Sequence, residues 1–185
     1  AQIVLEASGD RAVLAIRAGR SRFTLQTLPE SDFPDLAAGE MTHTFKLAAA
    51  DLKRLIDKTQ FAISTEETRY YLNGVYLHAT IIGGAPKLRS VATDGHRLAQ
   101  MTLDQPEGAA AMPGIIVPRK AVAELAKLAE VYGRGGGAAA LIEVSETKIR
   151  VTFGDTVLTS KLIDGTYPDY VRVVPAAAEH TVALP

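Results

Sequence analysis

"SRFTLQTLPESDFPDL" occupies residues 21–36, and "DTVLTSKLIDGTYPDY" occupies residues 155–170. Each is an alternating strand followed by a leucine, Leu28 or Leu162, then a short turn and an aromatic-Pro-Asp triplet. Phe33 aligns with Tyr167 at a spacing of 134 residues (167 − 33). The preceding stretches match too: "IVLEASGDRAVLAIRAG" at 3–19 stands beside "ALIEVSETKIRVTFG" at 140–154, each a hairpin-like pair of strands. A weaker echo follows, "HTFKL" from His43 and "HTVAL" from His180. Self-similarity at one long spacing marks a repeated structural unit. The chain is therefore expected to hold the last strands of one domain at 1–36, a complete domain at 37–175, and a linker with the first strand of a third domain at 176–185.

The complete domain repeats itself internally. "HTFKL" reads as a strand, and Ala48, Leu52, Leu55, Ile56 and Thr59 then recur at helical spacing over about three turns. "FAIS" (61–64), "YYLNGVYLHATI" (70–81), "KLRSVAT" (87–93) and "RLAQMTL" (97–103) read as strands. The second half runs in the same order. "GIIV" is a strand, and Pro118 falls where a first helical turn tolerates proline. Val122, Leu125, Leu128, Ala129 and Tyr132 line one helix face, and Gly133 to Gly137 end it. "LIEVS", "KIRVTFG" and "TVLTSKLI" are three more strands. A strand–helix–three-strand unit used twice predicts an α+β fold, with two helices packed on antiparallel sheets.

Composition narrows the function. With 185 residues and 47% hydrophobic content the chain can bury a full core. It has no cysteine, which excludes disulfides and thiolate zinc sites. Its apolar runs are too short for a membrane-spanning helix. A net charge of −1 is unlike a protein that coats nucleic acid, so any DNA contact must come from a local patch. The chain starts without Met and stops within a strand-like pattern, and is read as a piece of a longer protein.

Four stretches could carry chemistry. In "ATDGHRL" (92–98), Asp94 could orient His96 as a general base, but no nucleophile elbow accompanies them. One histidine beside one carboxylate is also too few for a metal site. A tight Asp-Gly turn or the wall of a binding surface are the other readings. "TRYYLNG" (68–74) sets Arg69 beside Tyr70 and Tyr71, a combination that suits phosphate and sugar or base, and equally a strand end. On the helices, Arg54 and Lys58, and then Lys120 and Lys127, lie opposite the apolar stripes, with Arg119 at the start of the second helix and Asp51, Asp57, Glu124 and Glu130 nearby. Such faces are solvated by default but suffice for contact with a DNA backbone. In "DGTYPDYVRVVP" (164–175), Pro168 and Pro175 stiffen a connector whose Pro168, Arg172 and Val173 could line a groove.

Taken in order along almost the whole chain, "RYYLNG" (69–74), "VATDGHRLA" (91–99), "IVPRK" (116–120) and "SKLIDGTYPDYVRVVP" (160–175) resemble the bacterial DNA polymerase III beta subunit, the sliding clamp. "TLPESDFPDL" (27–36) is similar to the end of that family's first domain. The resemblance implies a cytoplasmic, non-catalytic processivity factor without cofactor or metal. Two subunits of three similar domains would form a homodimeric ring that encircles duplex DNA, helices inside and sheets outside, and slides without reading sequence. It implies a hydrophobic cleft for Gln-Leu-x-Leu-Phe peptides of the polymerase III catalytic subunit, the clamp loader, other polymerases and repair proteins. Carried over residue by residue, the cleft would comprise Leu72, Thr93, Gly95, His96, Arg97, Leu98, Pro168, Arg172 and Val173. The DNA contacts would be Arg69, Tyr70, Tyr71, Arg119 and Lys120. Two departures stand out. "GGAP" lengthens a hairpin between Gly74 and Thr93, and nothing corresponding to a third domain follows Pro185. A chain ending there is expected not to close a ring and to bind peptide less tightly. A hydrolase using Asp94 and His96 is the rival reading.

Overall fold

A computed structural model describes residues 2–8, 13–33, 39–135 and 137–175. The chain divides into two compact units, residues 1–38 and 39–185. The first is an antiparallel meander of β1 (Ile3–Ser8), β2 (Val13–Ala18) and β3 (Ser21–Gln26), in the order β1-β2-β3. A single 3-10 turn follows at Glu30–Asp32.

The second unit begins with β4 (His43–Ala48) and α1 (Ala49–Asp57). Then come β5 (Gly74–Ile82), β6 (Ala85–Thr93) and β7 (Leu98–Asp104). β8 (Ile115–Pro118) and α2 (Arg119–Gly133) open the second half, and β9 (Ala139–Val144), β10 (Lys148–Phe153) and β11 (Thr156–Lys161) complete it. β9 to β11 form an antiparallel meander, as β1 to β3 do, and the 134-residue spacing maps one set onto the other within two residues. Residues 176–185, where the sequence predicts a linker and a further strand, lie outside the described residues.

Two expected strands take another form. "FAIS" folds as a 3-10 turn at Gln60–Ala62, and Glu67–Leu72 forms a second, kinked one, so β5 starts only at Gly74. Gly74 has a steric reason for starting it: a Cβ there would lie 2.3 Å from the Val117 carbonyl oxygen on the paired strand. Pro118 closes β8 instead of entering the helix, and the helical turn begins at Arg119. The "GGAP" stretch is a two-residue hairpin turn. Gly83 and Gly84 take φ +57° and +82°, which suits the twist of the flanking strands.

The two halves exchange their first strands. β4 pairs with β9 of the second half, Phe45 opposite Ile142, giving the sheet β11-β10-β9-β4. β8 pairs with β5 of the first half, Tyr76 opposite Ile116, giving β7-β6-β5-β8. Neither half can therefore complete a sheet alone. On β4, Phe45 and Leu47 are buried while Thr44 and Lys46 are exposed, the period-two pattern of a sheet with one covered face. α1 and α2 pack on each other and on strands of both halves. α1 buries Ala49, Leu52, Leu55 and Ile56, and α2 buries Ala121, Val122, Leu125 and Ala129. Past the end of α1, the buried Thr59 and Ser90 hydroxyls both donate to the Leu55 carbonyl, at 2.7 and 2.9 Å, so a carbonyl left over at the helix terminus is satisfied from helix and sheet at once. A cavity of about 30 Å³ remains inside this core, lined by side chains such as Leu52, Val75, Leu125 and Val151. It is a packing void among apolar groups, of the sort that stays dry.

Candidate functional site

Leu72 closes its 3-10 turn and is buried, whereas most residues before it face solvent. It belongs to a small apolar cluster with Val91, Ile116, Tyr167 and Tyr170, separate from the main core, and Leu98 packs against its edge. Leu72 and Tyr170 of this cluster, with Leu98, line a cleft of about 620 Å³. Leu72, Thr93, Gly95, His96, Arg97, Leu98, Pro168 and Val173 all line it. They come from three places in the chain: the end of the 67–72 turn, the β6–β7 connection, and the connector after β11.

One carboxylate organises the β6–β7 connection. Asp94 Oδ1 accepts from the backbone N–H groups of His96 and Arg97, both at 3.0 Å, and Oδ2 accepts from Arg97 Nε at 3.0 Å. Thr93 completes the turn. Its hydroxyl donates to the Arg97 carbonyl at 2.8 Å and accepts from Gly95 N–H at 3.1 Å. Those donors hold the Asp94 carboxyl low, at about 2, first through the Arg97 and His96 amides and then through the Arg97 guanidinium. Gly95 takes φ +89°, which the turn requires, and a Cβ there would lie 2.5 Å from Arg69 Nη1. The same geometry removes the partner that a hydrolase would need. Asp94 spends its oxygens on backbone amides and on Arg97, not on the His96 imidazole. Among the described residues no three His, Cys, Asp or Glu side chains are grouped to hold a metal ion.

Arg172 departs from the expected set. It does not line the cleft; its side chain is 84% exposed and Nε donates to Asp169 at 2.8 Å, so it touches the cleft only through Asp169. Sequence reasoning missed Gln100, Asp169, Tyr170, Val174 and Pro175, which do line it. Tyr170 carried no local signal: the 3-10 turn begins only at Tyr170, and Tyr167 lies before it in irregular chain.

The expected DNA-contact residues form a neighbouring surface. Arg69 is held by Glu66, with Nε and Nη2 donating to the two carboxylate oxygens at 2.9 and 2.6 Å. Tyr70 is exposed, Tyr71 half-buried, and their rings meet edge-on at 5.8 Å. The first amide of α2, Arg119 N–H, donates to the Asn73 carbonyl at 3.0 Å and so ties the start of α2 to this turn. Arg119 and Lys120 are exposed and make no ion pair among the described residues. Elsewhere on the helices the cations are largely neutralised locally. Lys53 pairs with Asp57, Arg54 with Asp51, Lys127 with Glu124 and Arg134 with Glu130. Besides Lys58 at the end of α1, the helix cations without an ion pair among the described residues are Arg119 and Lys120 at the start of α2. A helix N-terminus disfavours cations and favours an anion, so two arginine or lysine side chains there make a phosphate-attracting end.

A family model described as DNA polymerase III beta subunit, central domain, matches residues 46–169, about two thirds of the chain. The chain belongs to the DNA polymerase III beta subunit family. Curated relatives agree with this. The beta sliding clamp of Caulobacter vibrioides (strain NA1000 / CB15N) is 52% identical over 175 residues, which cover 95% of this chain and 46% of that protein. The beta sliding clamp of Pseudomonas aeruginosa is 44% identical over 181 residues, 97% of this chain and 47% of that protein. Solved structures of the family share the fold. A sliding clamp from Bartonella birtlesii, bound to griselimycin, superposes with a TM-score of 0.82 at 54% identity, over 94% of this chain and 45% of that one. A sliding clamp from Caulobacter crescentus superposes with a TM-score of 0.81 at 52% identity, over 94% and 46%. The chain spans slightly under half the length of these family members.

Proposed function

We propose that this chain forms the middle of a sliding clamp. In the whole protein, two copies would make a ring around duplex DNA. The cleft at Leu72, Leu98 and Val173 would tether peptides of the polymerase III catalytic subunit, the clamp loader, other polymerases and repair proteins in the cytoplasm. The observation that carries this reading is the convergence of eight carried-over residues from three chain segments on one concave, apolar-floored surface. Apolar anchors of a peptide need a desolvated floor with a few fixed polar groups at the rim. Leu72 and Leu98 supply the floor, Val173, Val174, Pro168 and Pro175 an apolar wall, and Arg97, His96, Gln100 and Asp169 the polar rim.

The deciding experiment is a fluorescence-anisotropy titration with a labelled Gln-Leu-x-Leu-Phe peptide. Saturable binding is expected. Leu98→Ala should weaken it about 10-fold, the effect of losing one buried apolar anchor of roughly 1.4 kcal/mol. Unchanged affinity in that variant would place the peptide elsewhere and sink the cleft assignment. The start of α2 has its own test. Replacing Arg119 and Lys120 together by alanine should weaken duplex binding equally for all sequences. The slope of log affinity against log salt should fall by about 2, since each phosphate contact contributes close to one. An unaltered slope would exclude both residues from the DNA-facing surface.

A further inference from the structure

Tyr170 joins the cleft to an aromatic ladder whose other members, Tyr76, His78 and Tyr167, do not line it. Tyr76 and His78, two residues apart on β5 and so on one face of the sheet, stack at 4.7 Å with 22° between their planes. Tyr167 stacks on the other face of Tyr76 at 4.7 Å and 5°. His78 then meets Tyr170, whose ring lines the cleft, at 5.8 Å.

The hydrogen bonds of this ladder have one direction. His78 Nδ1 is 3.0 Å from the Ala79 carbonyl, an acceptor only, so Nδ1 carries the proton and donates. Nε2 of the neutral ring is then an acceptor, 2.9 Å from the Tyr170 hydroxyl. Arg89, directly opposite His78 on β6, donates from Nη1 to the same hydroxyl at 3.3 Å. Arg89 therefore donates to Tyr170, Tyr170 donates to His78, and His78 donates to Ala79. Every group is satisfied only while His78 is neutral. A second proton would turn Nε2 into a donor, leave the Tyr170 O–H without its acceptor, and set an imidazolium beside a guanidinium.

We propose that His78 is a positioning residue of the cleft: through the Tyr170 hydroxyl the neutral imidazole holds the 168–175 wall in its binding geometry, and protonation releases that wall and lowers peptide affinity. The proposal rests on the cleft reading. The groups facing His78 are Tyr76 on its own strand, Arg89 on β6 and Tyr170 on the connector, with Tyr167 behind Tyr76. Burial holds the Tyr76 and Tyr167 phenols above their ordinary value, so both stay neutral. His78 is the member whose ordinary titration range lies closest to neutrality. Burial first, and then the Arg89 charge, push it below its ordinary value of 6.5. A base with a depressed pKa stabilises the docked arrangement fully above its ordinary value, and that contribution is lost as the pH falls toward the docked-state value.

The test combines two readouts. Peptide affinity of the wild-type protein should fall several-fold between about pH 7.5 and pH 5.5, the interval over which an imidazole gains its proton. His78→Gln should flatten that dependence, because an amide accepts from Tyr170 at either pH. Tyr170→Phe should flatten it too, with weaker binding throughout. His96 lines the cleft in all three proteins, so its contribution cancels in the comparison. Independently of peptide, backbone amide resonances of 168–175 should shift with the His78 ring titration in the wild type and not in His78→Gln. A wild-type pH slope that survives in His78→Gln, or connector resonances indifferent to the His78 titration, would overturn the proposal. Absence of peptide binding with the connector still following His78 would overturn the cleft reading while supporting the mechanical link.

Discussion

A Phe153→Ala protein should lose about 3–5 kcal/mol of stability in the 39–185 unit, the usual cost of deleting a buried aromatic ring. Phe153 is fully buried at the end of β10 and stacks on Tyr132 of α2, ring centres 5.4 Å apart and planes 17° from parallel. Removing it leaves a ring-sized gap between the sheet and the last turn of α2. The rest of the pairing resists collapse into the gap. The Tyr132 hydroxyl is tied to Thr156 on β11 at 2.8 Å, and β10 is fixed on both sides by β9 and β11. Urea unfolding followed by far-UV circular dichroism should show a lower midpoint at unchanged slope. Phe153→Leu, which keeps most of the volume, should lose less than about 1.5 kcal/mol. A loss under about 1 kcal/mol for the alanine variant would show that α2 can settle onto the sheet, contrary to the rigidity argued here.

Phe153 also illustrates what the sequence disclosed. "KIRVTFG" alternates, its buried positions follow from period two, and the prediction of that strand needs no tertiary knowledge. The stripes of α1 and α2 were equally legible, because an apolar side chain every three or four residues has one stable solution on a sheet. "FAIS" and "YYL" were not. Short apolar runs satisfy strand and 3-10 patterns alike, and tertiary hydrogen bonds decide between them. Ser64 N–H donates to the Leu72 carbonyl at 3.1 Å, which folds this stretch into a looped pair of turns. Nor does local pattern reveal that β4 and β8 exchange sheets, since each pairs with strands distant in the chain.

Legibility of the cleft divides in the same way. Resemblance supplied the residues that share motifs, but Gln100 and Val174 enter because neighbouring residues carry them there. Arg172 looked like a groove residue by its place in "DYVRVVP". The 3-10 turn at Tyr170–Val173 sends it outward to Asp169 instead. The His78 ladder was invisible for a plainer reason. His78 and Tyr170 lie 92 residues apart, and only the docking of the connector over β5 brings them together.

Asp94→Ala should weaken Gln-Leu-x-Leu-Phe binding by about 30-fold or more, beyond the effect expected for losing the Leu98 anchor alone. Leu98 is one contact, whereas Asp94 sets four lining residues at once: Gly95, His96, Arg97 and Leu98 all follow from the turn it closes. Asp94→Asn keeps an oxygen for the two backbone amides and should retain affinity within a few-fold, because the turn geometry rather than the charge places the wall. Both variants should melt near the wild-type temperature, since the turn is at the surface and outside the main core. Equal losses in the alanine and asparagine proteins would mean that the Asp94–Arg97 ion pair, not the turn, carries the effect. The pH behaviour separates this carboxylate from His78. Asp94 titrates at about 2, held there by the groups it accepts from, so its support is complete above the ordinary carboxylate value and is lost only as the pH falls toward 2. Between about pH 5 and pH 8 the turn is therefore constant, and Asp94→Asn should leave the pH slope of peptide binding as it is in the wild type. A slope in that interval that vanishes with Asp94 would place the switch in the turn and remove it from the ladder.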